Sequence, residues 1–157
     1  MEKVRVGVAG LGFVGAATVK LLSQHSNLLK LRSNKDIQVI AVSARDRLKS
    51  RGFSMDGLTW HDDPRVLAKD ENLDVIVEAI GGASGIAKEL VELSISNGKH
   101  VVTANKALIA ESGFNLAQKA EKAGVTLAFE AAVAGGIPII KALREGLSAN
   151  AIDGVYG

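Results

Sequence analysis

The sequence predicts an α/β fold built on a doubly wound parallel sheet. Two observations predict it. Short β-branched runs alternate with longer stretches of helical apolar spacing, and a glycine or Asn-Gly pair closes two of those stretches. The first such run also leads directly into a G-x-G-x-x-G turn. Strands alternating with helices form right-handed βαβ units, which place their strands parallel.

The elements follow in order. Val4, Val6 and Val8 mark a buried strand, and Gly10, Gly12 and Gly15 form the turn after it. Val14, Ala17, Leu21 and Leu22 set a helix running to about Leu29. The polar stretch from Lys30 to Asp36 predicts a loop, and Ile37 to Val42 a second strand. Ser43 to Trp60 mixes charge, glycine and serine, which predicts loop or broken helix. Asp63 and Pro64 suit the cap and first position of a short helix. Asp74 to Ile80 is a third strand, and Ser84 to Ser96 a helix with Ser84 as cap and Asn97-Gly98 as stop. His100 to Thr103 is a fourth strand, and Lys106 to Ala123 a helix with a break near Gly113 and an end at Gly124. Val125 to Phe129 is a fifth strand. Gly135, Gly136 and Pro138 open a last helix to about Leu147, and Ala151 to Tyr156 begins a strand.

Composition narrows the function classes. The 157 residues contain no cysteine, which excludes disulfides, thiolate nucleophiles and thiolate metal sites. A net charge of +2 and 4% aromatic residues argue against nucleic-acid binding. No run approaches the ~18 apolar residues of a membrane span. Lys3 and Arg5 precede an uncharged stretch from Val6 to Val19, but four glycines within it oppose a signal-peptide helix. The chain lacks the phosphate-loop pattern G-x-x-x-x-G-K-[ST] and the G-x-S-x-G nucleophile turn, and His25, His61 and His100 have no zinc-like spacing.

The glycine turn carries the first functional reading. Gly10 permits the turn, Gly12 lets backbone approach a pyrophosphate, and Gly15 lets helix pack on strand. The helix N-terminus then offers free N–H groups and a positive dipole end to phosphate. This is the Rossmann-type dinucleotide arrangement. An acid ending the second strand would bind the adenosine ribose, but Ser43 stands just past it, followed by Arg45, Asp46, Arg47 and Lys49. A guanidinium pairs well with a 2′-phosphate, so Arg45 favours NADP, with NAD possible through Asp46. Later strand ends add Gly81 and Gly82, where backbone can lie against a nicotinamide ribose. They also add Lys106 in T-A-N-K, suited to binding a substrate oxygen, steadying alkoxide charge or moving a proton. A surface lysine is the ordinary alternative. Glu130 is an isolated acid in apolar surroundings that needs a partner.

Together G-L-G-F-V-G, V-V-T-A-N-K-A-L-I-A and F-E-A-A-V-A-G-G-I-P-I-I-K-A-L-R-E-G-L resemble homoserine dehydrogenase over nearly the whole chain. The resemblance implies NAD(P)-linked interconversion of homoserine and aspartate 4-semialdehyde in threonine, methionine and isoleucine synthesis. It implies a cytoplasmic enzyme of a family whose members form homodimers, while composition argues against a membrane or nucleic-acid partner. By motif, Gly10, Gly12, Phe13 and Val14 line the dinucleotide, Lys106 is the catalytic candidate near nicotinamide and substrate, and Gly136 lies near both. Glu130, with carbonyls of Val133, Gly135 and Ile137, would hold a monovalent cation, commonly sodium. The resemblance further implies a dinucleotide-binding domain over 1–134. Residues 135–157 would be a hinge helix and first strand of a truncated catalytic and dimerisation domain, leaving the chain without turnover alone. The alternatives are a non-enzymatic dinucleotide-binding or redox-sensing module, and another dehydrogenase of amino or sugar substrates.

Overall fold

A computed structural model describes residues 1–156. Six parallel strands form one sheet: β1 (Glu2–Ala9), β2 (Lys35–Ser43), β3 (Thr59–His61), β4 (Val75–Glu78), β5 (His100–Thr103) and β6 (Leu127–Ala128). Their order is β3-β2-β1-β4-β5-β6. The chain therefore winds outward one way from β1, returns, and winds the other way from β4. The reversal between β1 and β4 leaves a crevice at the carboxyl ends of these strands, where such sheets bind ligands.

Helices cover the sheet from both sides. α1 (Phe13–Gln24) and α2 (Ser26–Ser33) follow β1, α3 (Arg65–Lys69) follows β3, α4 (Ile86–Ser96) follows β4 and α5 (Lys106–Ala123) follows β5. Alternation along β1 divides the core. Val6 and Val8 pack with Leu11, Val19 and Val42 on one side, while Ala9 packs with Leu67, Ile76 and Leu90 on the other. A third cluster joins α4 and α5 to β5 and β6 through Val91, Ile95, Val101, Leu108, Leu116 and Leu127. From Val6 to Ala9 both faces of β1 are buried, as a central parallel strand requires.

Most expected elements are present, β5 and α5 with the expected bounds. Six details differ. The first helix breaks at His25 into α1 and α2, so the polar stretch from Lys30 is helical to Ser33. It ends where Asn34 turns left-handed, at φ 55°. The region before Trp60 hides an edge strand, β3, too short to show periodicity. The third and fifth strands shorten to Val75–Glu78 and Leu127–Ala128. Ser84 is not a cap, because α4 starts from Gly85. α5 runs unbroken through Gly113, whose missing side chain leaves room for Ile109, 3.2 Å from where a Cβ would lie. The last helix is α6 (Ile139–Lys141) continued by a π-helical turn (Ala142–Gly146), and Ala151 to Tyr156 forms no strand. Ile152, Val155 and Tyr156 are exposed, and no neighbouring strand pairs with them. Among the described residues no helix is long and apolar enough to cross a membrane.

Candidate dinucleotide site

A cleft of about 850 Å³ opens at the β1/β4 crevice, between the glycine turn, the loop after β2 and the loop after β4. Its floor is the glycine turn. Gly10 has φ +89°, donates its N–H to the Ser43 carbonyl at 2.9 Å, and would place a Cβ 2.5 Å from the Ala79 carbonyl oxygen. Gly15 would place a Cβ 1.8 Å from the Gly10 carbonyl oxygen. These two glycines are demanded by the protein's own packing. Gly12 is not: a Cβ there meets nothing within 4 Å. Its open side faces solvent at the start of α1, which has no side-chain cap and no acid in its first turn. The uncapped N–H groups and dipole suit an anion. Phe13 and Val14 stand exposed beside it.

The loop after β2 forms one wall. Arg45 lines the cleft, is exposed, and makes no ion pair among the described residues. The Asp46 carboxylate is engaged in its own turn, accepting from the N–H groups of Leu48 and Lys49 at 2.9 and 3.2 Å. Ser43 is buried, with its carbonyl held by Gly10. Arg51, which sequence reasoning missed, shapes this wall. Its guanidinium donates to the carbonyls of Lys49 at 2.7 Å, Leu11 at 3.3 Å and Asp46, and lies 5.4 Å from the centre of the Trp60 ring. It ties the β2 loop to the glycine turn. No short-range pattern announces it, because its three acceptors are backbone.

The opposite wall is the loop after β4, Ala79 to Gly81, with Gly81 at φ +91°. Glu78 beneath it is fully buried. Its carboxylate accepts from the N–H groups of Ile80 at 2.8 Å and Gly81 at 3.0 Å, and from the Thr103 hydroxyl at 2.5 Å. Asn105 caps α5 by accepting from the Leu108 N–H at 3.1 Å and donates its amide to the Gly82 carbonyl at 2.7 Å. Lys106, the next residue, begins α5, exposed and without an ion pair among the described residues.

Glu130 lies apart from the cleft. Its two carboxylate oxygens accept from the N–H groups of Ile140 at 3.0 Å and Lys141 at 2.8 Å, so it caps α6. Val133, Gly135 and Ile137 fall in the intervening turn, where the Ile137 carbonyl accepts from Ile139 at 2.8 Å. The Glu130 carboxylate and the Ile137 carbonyl thus each accept a hydrogen bond from the backbone of this segment. His100 accepts the Thr126 N–H through Nδ1, a structural bond between β5 and the residue before β6.

A family model described as the NAD-binding domain of homoserine dehydrogenase matches residues 10–130, from the first glycine of the turn to Glu130. The chain belongs to that family. Homoserine dehydrogenase of Pseudomonas aeruginosa is 46% identical over 157 residues, all of this chain and 36% of that protein. The Neisseria gonorrhoeae enzyme is 45% identical with the same coverage. The crystal structure of a homoserine dehydrogenase from Thiobacillus denitrificans superposes with a TM-score of 0.86 at 45% identity, over 96% of this chain and 34% of that one. A hyperthermophilic archaeal homoserine dehydrogenase in complex with NADPH shares the fold, with a TM-score of 0.74 at 22% identity over 94% of this chain and 50% of that one. The chain thus spans 36% of the length of these two curated relatives.

Proposed function

We propose that this chain is the dinucleotide-binding part of an NADP-preferring homoserine dehydrogenase, working in the cytoplasm on homoserine and aspartate 4-semialdehyde. The observation that carries the dinucleotide reading is Gly12, the glycine of the turn that internal packing leaves unexplained. A backbone bare of side chain at the open N-terminus of α1 suits a pyrophosphate. The preference for NADP rests on the β2 loop. No acid ends β2, Asp46 is held in a turn, and Arg45 is free to meet a 2′-phosphate.

In this reading NADP supplies the hydride acceptor, and the chain binds, orients and shields it. Gly12 and the first turn of α1 hold the pyrophosphate, with Phe13 and Val14 beside it. Gly81 and Gly82 face the nicotinamide end. Lys106 donates a hydrogen bond to the substrate oxygen and steadies charge developing there. Residues 1–134 form this unit. The relatives' remaining length would supply further substrate contacts and dimerisation. Glu130, which caps α6, would hold a monovalent cation together with the carbonyls of Val133, Gly135 and Ile137.

Calorimetric titration of this chain with NADP+ and NAD+ tests the proposal. Tighter binding of NADP+ is expected. Absence of binding to either overturns the dinucleotide reading, and tighter NAD+ overturns the preference.

A further inference from the structure

We infer that Glu78 and Asn105 are positioning residues that lock the Gly81-Gly82 loop to the first turn of α5, and so set dinucleotide affinity and the place of Lys106. Their bonds close a ring. The Glu78 carboxylate holds the Ile80 and Gly81 N–H groups and receives the Thr103 hydroxyl. The Thr103 oxygen in turn receives the Asn105 N–H at 3.0 Å. The Asn105 amide then reaches the Gly82 carbonyl, on the loop where the ring began.

Three features make this more than helix capping. Glu78 is a fully buried carboxylate with no cation paired to it among the described residues. Burying an unpaired charge is costly, and an apolar side chain would serve packing alone better. Here three donors offset that cost, two of them from the loop that lines the cleft. Asn105 is chosen over other cap residues for a second reason. Serine, threonine and aspartate cap helices as well, but only asparagine offers a cap acceptor together with an amide donor on a side chain of this length. Finally, Gly81 and Gly82 both sit at positive φ, 91° and 89°, with open space where a Cβ would lie. Gly81 and Gly82 have no side chain with which to pack, so the ring is what ties their backbone to α5.

The inference rests on the dinucleotide reading for its functional half, and the test separates the two. Asn105→Asp keeps the acceptor for Leu108 but replaces the donor to Gly82 with a carboxylate facing a carbonyl. Amide exchange at Ile80 and Gly81, measured by NMR on the free chain, reads the lock. The Kd for NADPH reads the positioning. Asn105→Asp should speed exchange at both amides by about tenfold and weaken NADPH by about tenfold, the scale of one lost hydrogen bond, with a Tm lowered by a few degrees because Asn105 is buried. Thr103→Val should move both readouts the same way, and Thr103→Ser, which keeps the hydroxyl, should restore them. Unchanged exchange in Asn105→Asp and Thr103→Val overturns the lock. Faster exchange with an unchanged Kd overturns the positioning role. A parent chain that binds neither NADPH nor NADH overturns the dinucleotide reading and the positioning role with it, while exchange still decides the lock.

Discussion

The floor of the cleft and its wall after β4 are held in opposite ways. The Gly10–Gly15 turn is shaped by subtraction: chain segments approach so closely that a single methyl group would collide with a carbonyl. The Gly81-Gly82 loop is shaped by addition: buried side chains from two strands and a helix cap reach in and bind its backbone. The first kind of loop is rigid because it has no room. The second is only as rigid as its hydrogen bonds, so it is the wall whose position substitution can tune.

Gly15→Ala breaks the first loop most severely. Its Cβ would fall 1.8 Å from a backbone oxygen, which cannot give way without moving β1 or α1. A loss of about 3 kcal/mol or more is expected in urea unfolding, at the upper end for overpacking. Gly12→Val, three residues earlier, inverts the outcome. The new side chain meets no protein atom, so Tm should stay close to the parent's. It would fill the pyrophosphate approach, and NADP+ affinity should fall about 100-fold, equal to about 2.7 kcal/mol. Unchanged affinity by calorimetry would remove the role given to the turn.

Glu78→Gln acts on the second loop. If its oxygen keeps the Ile80 and Gly81 N–H groups, its amide must face the Thr103 hydroxyl. That hydroxyl then needs a new acceptor in a fully buried place. A loss of about 1–3 kcal/mol is expected in urea unfolding, the cost of one buried group left unpaired. Stability equal to the parent's would mean that the ring is slack and the contrast between the loops is false.

The same contrast explains what could be read before the fold was seen. A loop made by subtraction leaves its record in consecutive residues, and Gly10, Gly12 and Gly15 are legible as a motif. Gly98 and Gly124 are legible for the same reason, each ending a helix at positive φ. Glu78 was read only as part of a strand and Asn105 only as part of T-A-N-K, because their partners lie 25 and 23 residues away and become neighbours only once β4 pairs with β5. Arg51 escaped notice because its acceptors are carbonyls, which every residue has. β3 escaped because three residues at a sheet edge carry no period. Glu130 stood out as an acid among apolar residues, and its partners are the N–H groups of a helix ten residues on.

Arg45→Ala sharpens the account of the β2 wall. Arg45 holds nothing together among the described residues, so the fold should not change. NADP+ affinity should drop about tenfold, the scale of one charge-assisted pairing, while NAD+ affinity stays level. Equal losses for the two would show that Arg45 does not read the 2′-phosphate.

The smallest effect is expected at the other end of the β1/β4 seam, far from the cleft. There Asp74 accepts from the Arg5 backbone N–H at 2.7 Å and from its guanidinium at 2.7 and 3.0 Å, and donates its own N–H to the Arg5 carbonyl at 2.9 Å. The Arg5 side-chain bonds hold the Asp74 carboxyl below its ordinary value, against the opposing effect of partial burial. A carboxylate whose value is lowered by folding stabilises fully above the unfolded value, about 3.9, and loses that contribution as pH falls through the lowered one. Asp74→Asn should therefore cost a little stability at pH 7 and flatten the fall in stability below about pH 4. Both side chains are a third or more exposed, so salt should shrink the difference. Urea unfolding of parent and variant at pH 7 and pH 3 checks it: a gap that persists undiminished at pH 3 would mean that Asp74 holds the seam by shape rather than charge. Dinucleotide affinity should be equal in the two chains, since β1 and β4 are joined separately at the cleft end by Gly10 against Ala79.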